Sequence, residues 1–157
     1  MQIKSCQVGN VPSIRPQDVS FPAALVIPKA VSDELISYKE DRPVWQNFFN
    51  SSTKIVVLKD SFPIHPDIAG WGLGRGESEV ITCAMVNAGY ETVLDDLEAR
   101  KCAATFNIPV RETVGVILRA KKKYLIPAAK PLIENLKDAG LRFNDEWIKE
   151  ALSLVGE

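Results

Sequence analysis

The stretch GWGLGRGESEVITCAMVNAGYETVLDDLEAR, residues 70–100, decides how the rest of the chain is interpreted. Four glycines alternate with larger residues, a helical pattern then begins among glutamates, and a short apolar strand ends at a pair of aspartates. Carboxylates therefore stand at the start of one predicted helix and at the end of the next predicted strand. Acids in these places either cap helices or take part in a functional site, and the sequence allows both interpretations.

The glycine-rich segment does not fit the two common phosphate-binding loops. It has no lysine before a Ser or Thr, and counting from Gly72 puts Glu77 where the third glycine of G-x-G-x-x-G would stand. Glutamates at a helix start would also repel a phosphate. We interpret the segment as an entry loop in which glycine permits positive φ.

Strand and helix patterns alternate on both sides of this stretch. Short apolar runs predict strands at 23–27, 54–59, 92–94 and 108–110, whereas residues 1–20 are predicted to be irregular with a short strand near Ile3. Periodic patterns predict helices at 29–39, 43–50, 76–88, 96–107, 112–126, 127–140 and 144–157, and prolines predict a loop at 60–70. This alternation indicates an α/β fold with a mainly parallel central sheet and a helical C-terminal region.

Composition excludes several classes of protein. A chain of 157 residues suits one domain, and a net charge of −1 provides no global attraction to nucleic acid or anionic lipid. No apolar run approaches the roughly 18 residues of a membrane span, and the N-terminus lacks a signal-peptide pattern, so we expect a cytoplasmic protein with no membrane partner. Cys6, Cys83 and Cys102 are expected to be buried thiols, and the single histidine, His65, argues against a zinc site.

Acidic residues follow three of the predicted strands. Glu34 lies one turn into a helix, Glu79 lies in the first turn of another, and Asp95 and Asp96 follow residues 92–94 directly. Glu77 and Glu79 point about 200° apart around a helix axis, so they cannot serve one site together. If the acids converge at the carboxyl edge of the sheet, their oxygens would select a hard cation such as Mg²⁺ or Mn²⁺. Each acid is otherwise an ordinary helix cap or a solvated residue.

A basic run, LRAKKKYLIPAAK, follows in residues 118–130. Such a run is usually a solvated helix face, but beside a carboxylate cleft it could hold a phosphate backbone. The candidates are Arg119, Lys121, Lys122, Lys123 and Lys130.

The segments LVIPKAVSDEL, GRGESEVITCA, VLDDLEAR and GVILRAKKKYLIPAAKPLIENLKDAGLRFND together resemble the PIN-domain family, in particular a predicted nucleic-acid-binding subfamily related to VapC-type toxins. The resemblance implies a three-layer α/β/α fold in a PIN-like domain at 23–157, after a divergent segment at 1–22. It further implies an Mg²⁺- or Mn²⁺-dependent endoribonuclease with Glu34, Glu79 and Asp96 as catalytic metal ligands. Asp95 is an accessory ligand, and Glu77 is the alternative to Glu79. RNA, an antitoxin protein and a second copy of the chain are the implied partners.

The N-terminus departs from the family pattern, in which an apolar strand ends in an aspartate that binds metal. MQIKSCQVGNVPSIRPQDVSFP contains no such strand, and Asp18 is the only acid before Asp33. A sheet without that strand has a gap unless QIKSCQV or a partner chain fills it. The first hypothesis is therefore a ribonuclease of reduced activity. The alternative is a non-catalytic module that binds RNA through Lys121–Lys123 or sequesters an antitoxin. A degenerate remnant without function is the third hypothesis.

Overall fold

The computed structural model describes residues 24–37, 41–52 and 54–157, and the account below is confined to them. Strands and helices alternate in these ranges as the sequence predicts. In chain order the elements are β1 (Leu25–Ile27), α1 (Lys29–Ser37), α2 (Arg42–Phe49), β2 (Ile55–Val57), α3 (Pro66–Ala69), α4 (Arg75–Val86), β3 (Thr92–Val93), α5 (Leu97–Thr105), β4 (Val110–Arg111), α6 (Thr113–Lys122), α7 (Lys130–Asp138) and α8 (Asp145–Ser153).

The strands pair in parallel, which confirms the predicted strand direction. β1 lies beside β2 with Leu25 opposite Ile55, and β3 lies beside β4 with Thr92 opposite Val110. Helices connect the strands of each pair, as parallel pairing requires. Within the described ranges the strands form two separate pairs. The strand predicted near Ile3 lies outside these ranges, as does the QIKSCQV stretch.

The sequence misses one short helix and misplaces one end of α6, of α7 and of α8, which ends at Ser153 and not at residue 157. A short helix, α3, forms inside the predicted loop 60–70, since the His65 imidazole accepts the Asp67 N–H and Pro66 begins the helix. α6 ends at Lys122 and not at residue 126, because Tyr124 takes a φ of 59°. α7 begins only at Lys130 and not at residue 127.

Two predicted caps are confirmed. The Asn144 side chain accepts N–H bonds from Glu146 and Trp147 at the start of α8. Gly140 follows α7 with a φ of 99°, a conformation that a glycine adopts readily and that ends a helix.

Two apolar clusters make the described core. The first packs α4 and α5 around residues Ile68, Ile81, Leu94, Cys102 and Ile108. The second joins α6, α7 and α8 through residues Val114, Ala129, Ile133, Ile148 and Leu152. α4 has 12 residues, and no helix described combines the length and the hydropathy that a bilayer crossing needs.

Cys83 and Cys102 are buried free thiols, as predicted, and Cys102 belongs to the first cluster. Burial raises the pKa of Cys83 to about 11 and also raises the pKa of Cys102. Both side chains are therefore thiols and not reactive thiolates at neutral pH. Cys6 lies outside the described residues.

The Glu157 side chain caps α7 from the far end of the described chain. Its carboxylate accepts the Ala129 N–H at 2.9 Å and the Lys130 N–H at 2.9 Å, and Lys121 Nζ lies 3.3 Å away. The backbone bonds from Lys130 and Ala129, followed by Lys121, hold the Glu157 pKa below its ordinary value of 4.5.

We expect Glu157→Gln to lower stability at neutral pH and to lose that effect in acid. The folded-state pKa is depressed, so the stabilisation is present above the ordinary value of 4.5 and disappears as pH falls through the folded pKa. Urea unfolding of both proteins across pH 2–7 measures the difference, with Glu150→Gln on exposed α8 surface as the control. A difference between the proteins that stays constant with pH would contradict this cap.

Candidate metal centre

The first turns of α1 and α4 meet, and each helix caps the other with a glutamate. The Ala30 N–H donates to Glu79 Oε2 at 3.0 Å, and the Gly76 N–H donates to Glu34 Oε1 at 3.2 Å. Each carboxylate thus accepts a bond from the positive end of the neighbouring helix. Glu34 and Glu79, predicted together from the sequence, are brought to one junction, which we call the α1–α4 junction.

Gly76 makes this close approach possible. A Cβ on Gly76 would lie 2.8 Å from Glu34 Oε2 and 3.1 Å from Glu34 Oε1, closer than van der Waals contact allows. The sequence interpretation of the glycines holds at Gly72, which has a φ of 68°. It misses the role of Gly76, because that role depends on a side chain from another helix.

Glu79 is a buried carboxylate whose charge is compensated inside the protein. Its side chain is 0% exposed, and Arg75 Nε lies 3.3 Å from Glu79 Oε1. A buried carboxylate is costly unless it is paired and hydrogen-bonded. The N-terminus of α1 and the Arg75 guanidinium together provide this pairing and hydrogen bonding, so the folded protein can keep the Glu79 carboxylate buried at the junction.

Glu77 lies away from the junction, as its angular separation from Glu79 predicts. Its Oε2 accepts the Gly74 N–H at 2.8 Å and caps α4 itself. Of the two alternatives in this turn, Glu79 is therefore the one that shares a junction with Glu34.

Asp95 and Asp96 cap two different helices. Asp96 Oδ1 accepts the Ala99 N–H at 2.8 Å at the start of α5. Asp95 Oδ1 accepts the Thr113 N–H at 2.8 Å, and its Oδ2 accepts the Thr113 hydroxyl at 2.5 Å, at the start of α6. Asp96 thus caps the helix that directly follows it, whereas Asp95 caps a helix that begins 18 residues further along the chain.

The described residues contain no group of three or more His, Cys, Asp or Glu side chains that could hold a metal ion. Asp95 and Asp96 therefore do not join the glutamates in such a group. The remaining pair, Glu34 and Glu79, fits a hard cation in its donor chemistry, since Mg²⁺ commonly takes one or two carboxylates and completes its coordination with water. Glu34 is exposed, which leaves the junction open to solvent on its side.

Among the predicted RNA-binding cations, Arg119, Lys121 and Lys130 each pair with a carboxylate of the same chain. Arg119 lies 3.2 Å from Glu91, and Lys121 Nζ donates to the Pro127 carbonyl at 2.7 Å beside Glu157. Lys122 and Lys123 are exposed at the end of α6. The partners of Arg119 and Lys121 lie far along the chain or beyond a turn, so the basic run by itself does not reveal them.

A comparison with models of known protein families assigns this chain to one of them. A model described as a PIN domain matches residues 20–157, and the chain belongs to the PIN-domain family. Its parallel strand pairs and surrounding helices are consistent with the α/β/α fold that the sequence resemblance implies. No curated protein and no solved structure matches the sequence.

We expect Gly76→Ala to leave the protein folded but to displace the Glu34 carboxylate. The new methyl group would lie only 2.8 Å from Glu34 Oε2 and would push it away, whereas the higher helix propensity of alanine, at most roughly 0.5–1 kcal/mol, offsets the lost contact. The melting temperature should therefore change little while Mn²⁺ binding weakens. Gly115→Ala on α6, where a Cβ meets nothing within 4 Å, is the matched control. Equal Mn²⁺ affinity in both variants would show that Glu34 does not bind the ion.

Proposed function

We propose that this PIN-domain protein is a cytoplasmic Mg²⁺- or Mn²⁺-dependent endoribonuclease. The main support for the proposal is that Glu34 of α1 and Glu79 of α4 lie together at the α1–α4 junction. Membership of the PIN-domain family supports the same reaction class. Glu34 and Glu79 would hold the ion. The family resemblance also proposes Asp96 as a catalytic acid and Asp95 as its accessory, but in the described residues they cap α5 and α6 and form no three-acid group with the glutamates, so they would reach the ion only after a change in the turn between β3 and α5.

A divalent ion bound by these carboxylates would supply an activated water and stabilise charge on the phosphodiester. The protein's own contribution is positional. The α1 N-terminus orients Glu79 through the Ala30 N–H, and the α4 N-terminus orients Glu34 through the Gly76 N–H. The carboxylates are therefore ordered before any ligand arrives, which reduces the cost of assembling the site.

The RNA backbone is proposed to follow the end of α6. Lys122 and Lys123 are exposed there, and neutralising phosphates with lysine releases counterions and supplies affinity. Arg119 and Lys121 are proposed to lie along the same path, where Glu91 and Glu157 also contact them.

Cleavage of a labelled single-stranded RNA with Mn²⁺ tests the proposal. Glu34→Gln, Glu79→Gln and Asp96→Asn are each expected to lower the rate at least roughly 100-fold, the upper range for groups that support metal ligands. Glu150→Gln on the exposed face of α8 is the charge-matched control and should cleave normally. Wild-type protein that leaves RNA intact with Mn²⁺ and with Mg²⁺ would defeat the nuclease proposal.

A second candidate is a non-catalytic module that binds RNA or antitoxin. It is favoured by a specific observation: Glu34, Glu79, Asp95 and Asp96 each cap a helix, and the described residues hold no three-acid group. RNA binding without cleavage, lost in a Lys122→Ala/Lys123→Ala double variant, would favour this candidate. Lys121→Ala is a poor probe, because Lys121 also holds Glu157 and the Pro127 carbonyl.

We also propose that the protein is a homodimeric toxin restrained by an antitoxin. The sequence resemblance to VapC-type toxins carries this part of the proposal. Light scattering after size exclusion should give twice the chain mass of 17.3 kDa. Expression of the wild-type chain should arrest growth of a host cell and Glu79→Gln should not. If the wild-type chain cleaves RNA in vitro but its expression does not slow growth, the toxin role is contradicted and the nuclease activity is not.

A further inference from the structure

Arg75 contacts the oxygen of Glu79 that does not accept the α1 backbone hydrogen bond. Glu79 Oε2 accepts the Ala30 N–H, which is part of the α1 backbone, and Glu79 Oε1 faces Arg75 Nε at 3.3 Å. The Glu79 side chain is 0% exposed whereas that of Arg75 is 66% exposed. The backbone donor is fixed at the start of α1, whereas the largely exposed guanidinium can move into solvent.

We propose that Arg75 is a built-in counter-cation that competes with a divalent ion for the α1–α4 junction. This inference rests on the proposed function, because it assumes that Glu34 and Glu79 take the ion. Without metal, Arg75 supplies the positive charge that the buried Glu79 carboxylate requires. A divalent ion that takes Glu79 Oε1 must displace the Arg75 Nε contact and is repelled by the guanidinium while it remains near.

The chemistry around Arg75 supports a mobile cation and not a fixed one. Its ion pair with Glu79 spans one helical turn of α4, from the first residue of the helix to a buried position. In the ranges that the structure describes, Glu79 is the carboxylate that Arg75 pairs with. Arg75 therefore loses a single ion pair when it moves, and the protein remains charge-compensated only if another cation replaces it.

Mn²⁺ titration followed by electron paramagnetic resonance of the free ion tests the competition. Arg75→Gln is expected to bind Mn²⁺ up to roughly fivefold more tightly than wild type, the scale of one partly exposed ion pair. Arg75→Lys keeps the competing charge and should stay within about twofold of wild type. Arg142→Gln removes a charge from the exposed loop between α7 and α8 and should leave the affinity unchanged.

Thermal unfolding provides a second readout that does not depend on RNA cleavage. In EDTA, Arg75→Gln should melt below wild type, because Glu79 then lacks its cation. Added Mn²⁺ should raise the melting temperature of Arg75→Gln more than that of wild type, since ligand binding stabilises the folded state in proportion to its affinity.

The outcomes separate this inference from the proposed function. If Arg75→Gln binds Mn²⁺ no more tightly than wild type, the competition is refuted and the nuclease proposal stands. If no variant binds Mn²⁺ at millimolar concentration, both are refuted. Tighter Mn²⁺ binding by Arg75→Gln without RNA cleavage would support the competition and refute the nuclease.

Discussion

Replacing Glu79 with alanine is expected to lower the free energy of unfolding by about 3 kcal/mol, near the upper end of what single substitutions do. The Glu79 side chain is fully buried, and its loss leaves a void between α1 and α4 and the Ala30 N–H without its acceptor. A buried donor without a partner costs about 1–3 kcal/mol. Arg75 loses its partner too, but it is largely exposed and returns to solvent at little cost.

Glu79→Gln distinguishes the shape of this side chain from its charge. The amide fills the same space and retains an oxygen for the Ala30 N–H, so the expected loss is about 1 kcal/mol, the net scale of one hydrogen bond. Chemical denaturation of wild type and both variants gives the comparison. Equal losses in the alanine and glutamine variants would show that the negative charge, and not the packing, holds the junction.

Ile81→Ala is expected to be as damaging, at about 3 kcal/mol within the usual 2–5 kcal/mol range for buried isoleucine. Ile81 is 0% exposed in the cluster that includes Ile68 and Leu94. Its α4 helix also carries Gly76 and Glu79, so the variant should weaken Mn²⁺ binding through misplacement of the helix.

Val86→Ala is the matched control for this prediction, because Val86 lies on the same helix and is 54% exposed. It should change stability by no more than about 0.5 kcal/mol, as surface substitutions usually do. If Val86→Ala lowers the free energy of unfolding as much as Ile81→Ala does, α4 does not pack against the protein through its apolar face. Urea midpoints and Mn²⁺ affinities of the two variants decide the point.

Sequence patterns determined the alternation of strands and helices, the parallel direction of the strands and the opposite placement of Glu77 and Glu79. These features follow from periodicity and from backbone geometry, which act over a few residues. The caps at Asn144 and Gly140 are local for the same reason. The quoted motifs were also sufficient for the family assignment, since the family model covers residues 20–157.

The tertiary structure alone decided which carboxylates meet and what each of them holds. Glu79 caps α1 and Glu34 caps α4, while Asp95 caps α6 from the end of β3. Each of these bonds joins residues far apart in sequence, so no local pattern can specify its partner. The same holds for Gly76, because its lack of a side chain leaves space for Glu34. It also holds for Lys121, which forms an ion pair with Glu157. The start of α8 at Asn144 could be predicted from the sequence, but the packing of one helix start against another could not.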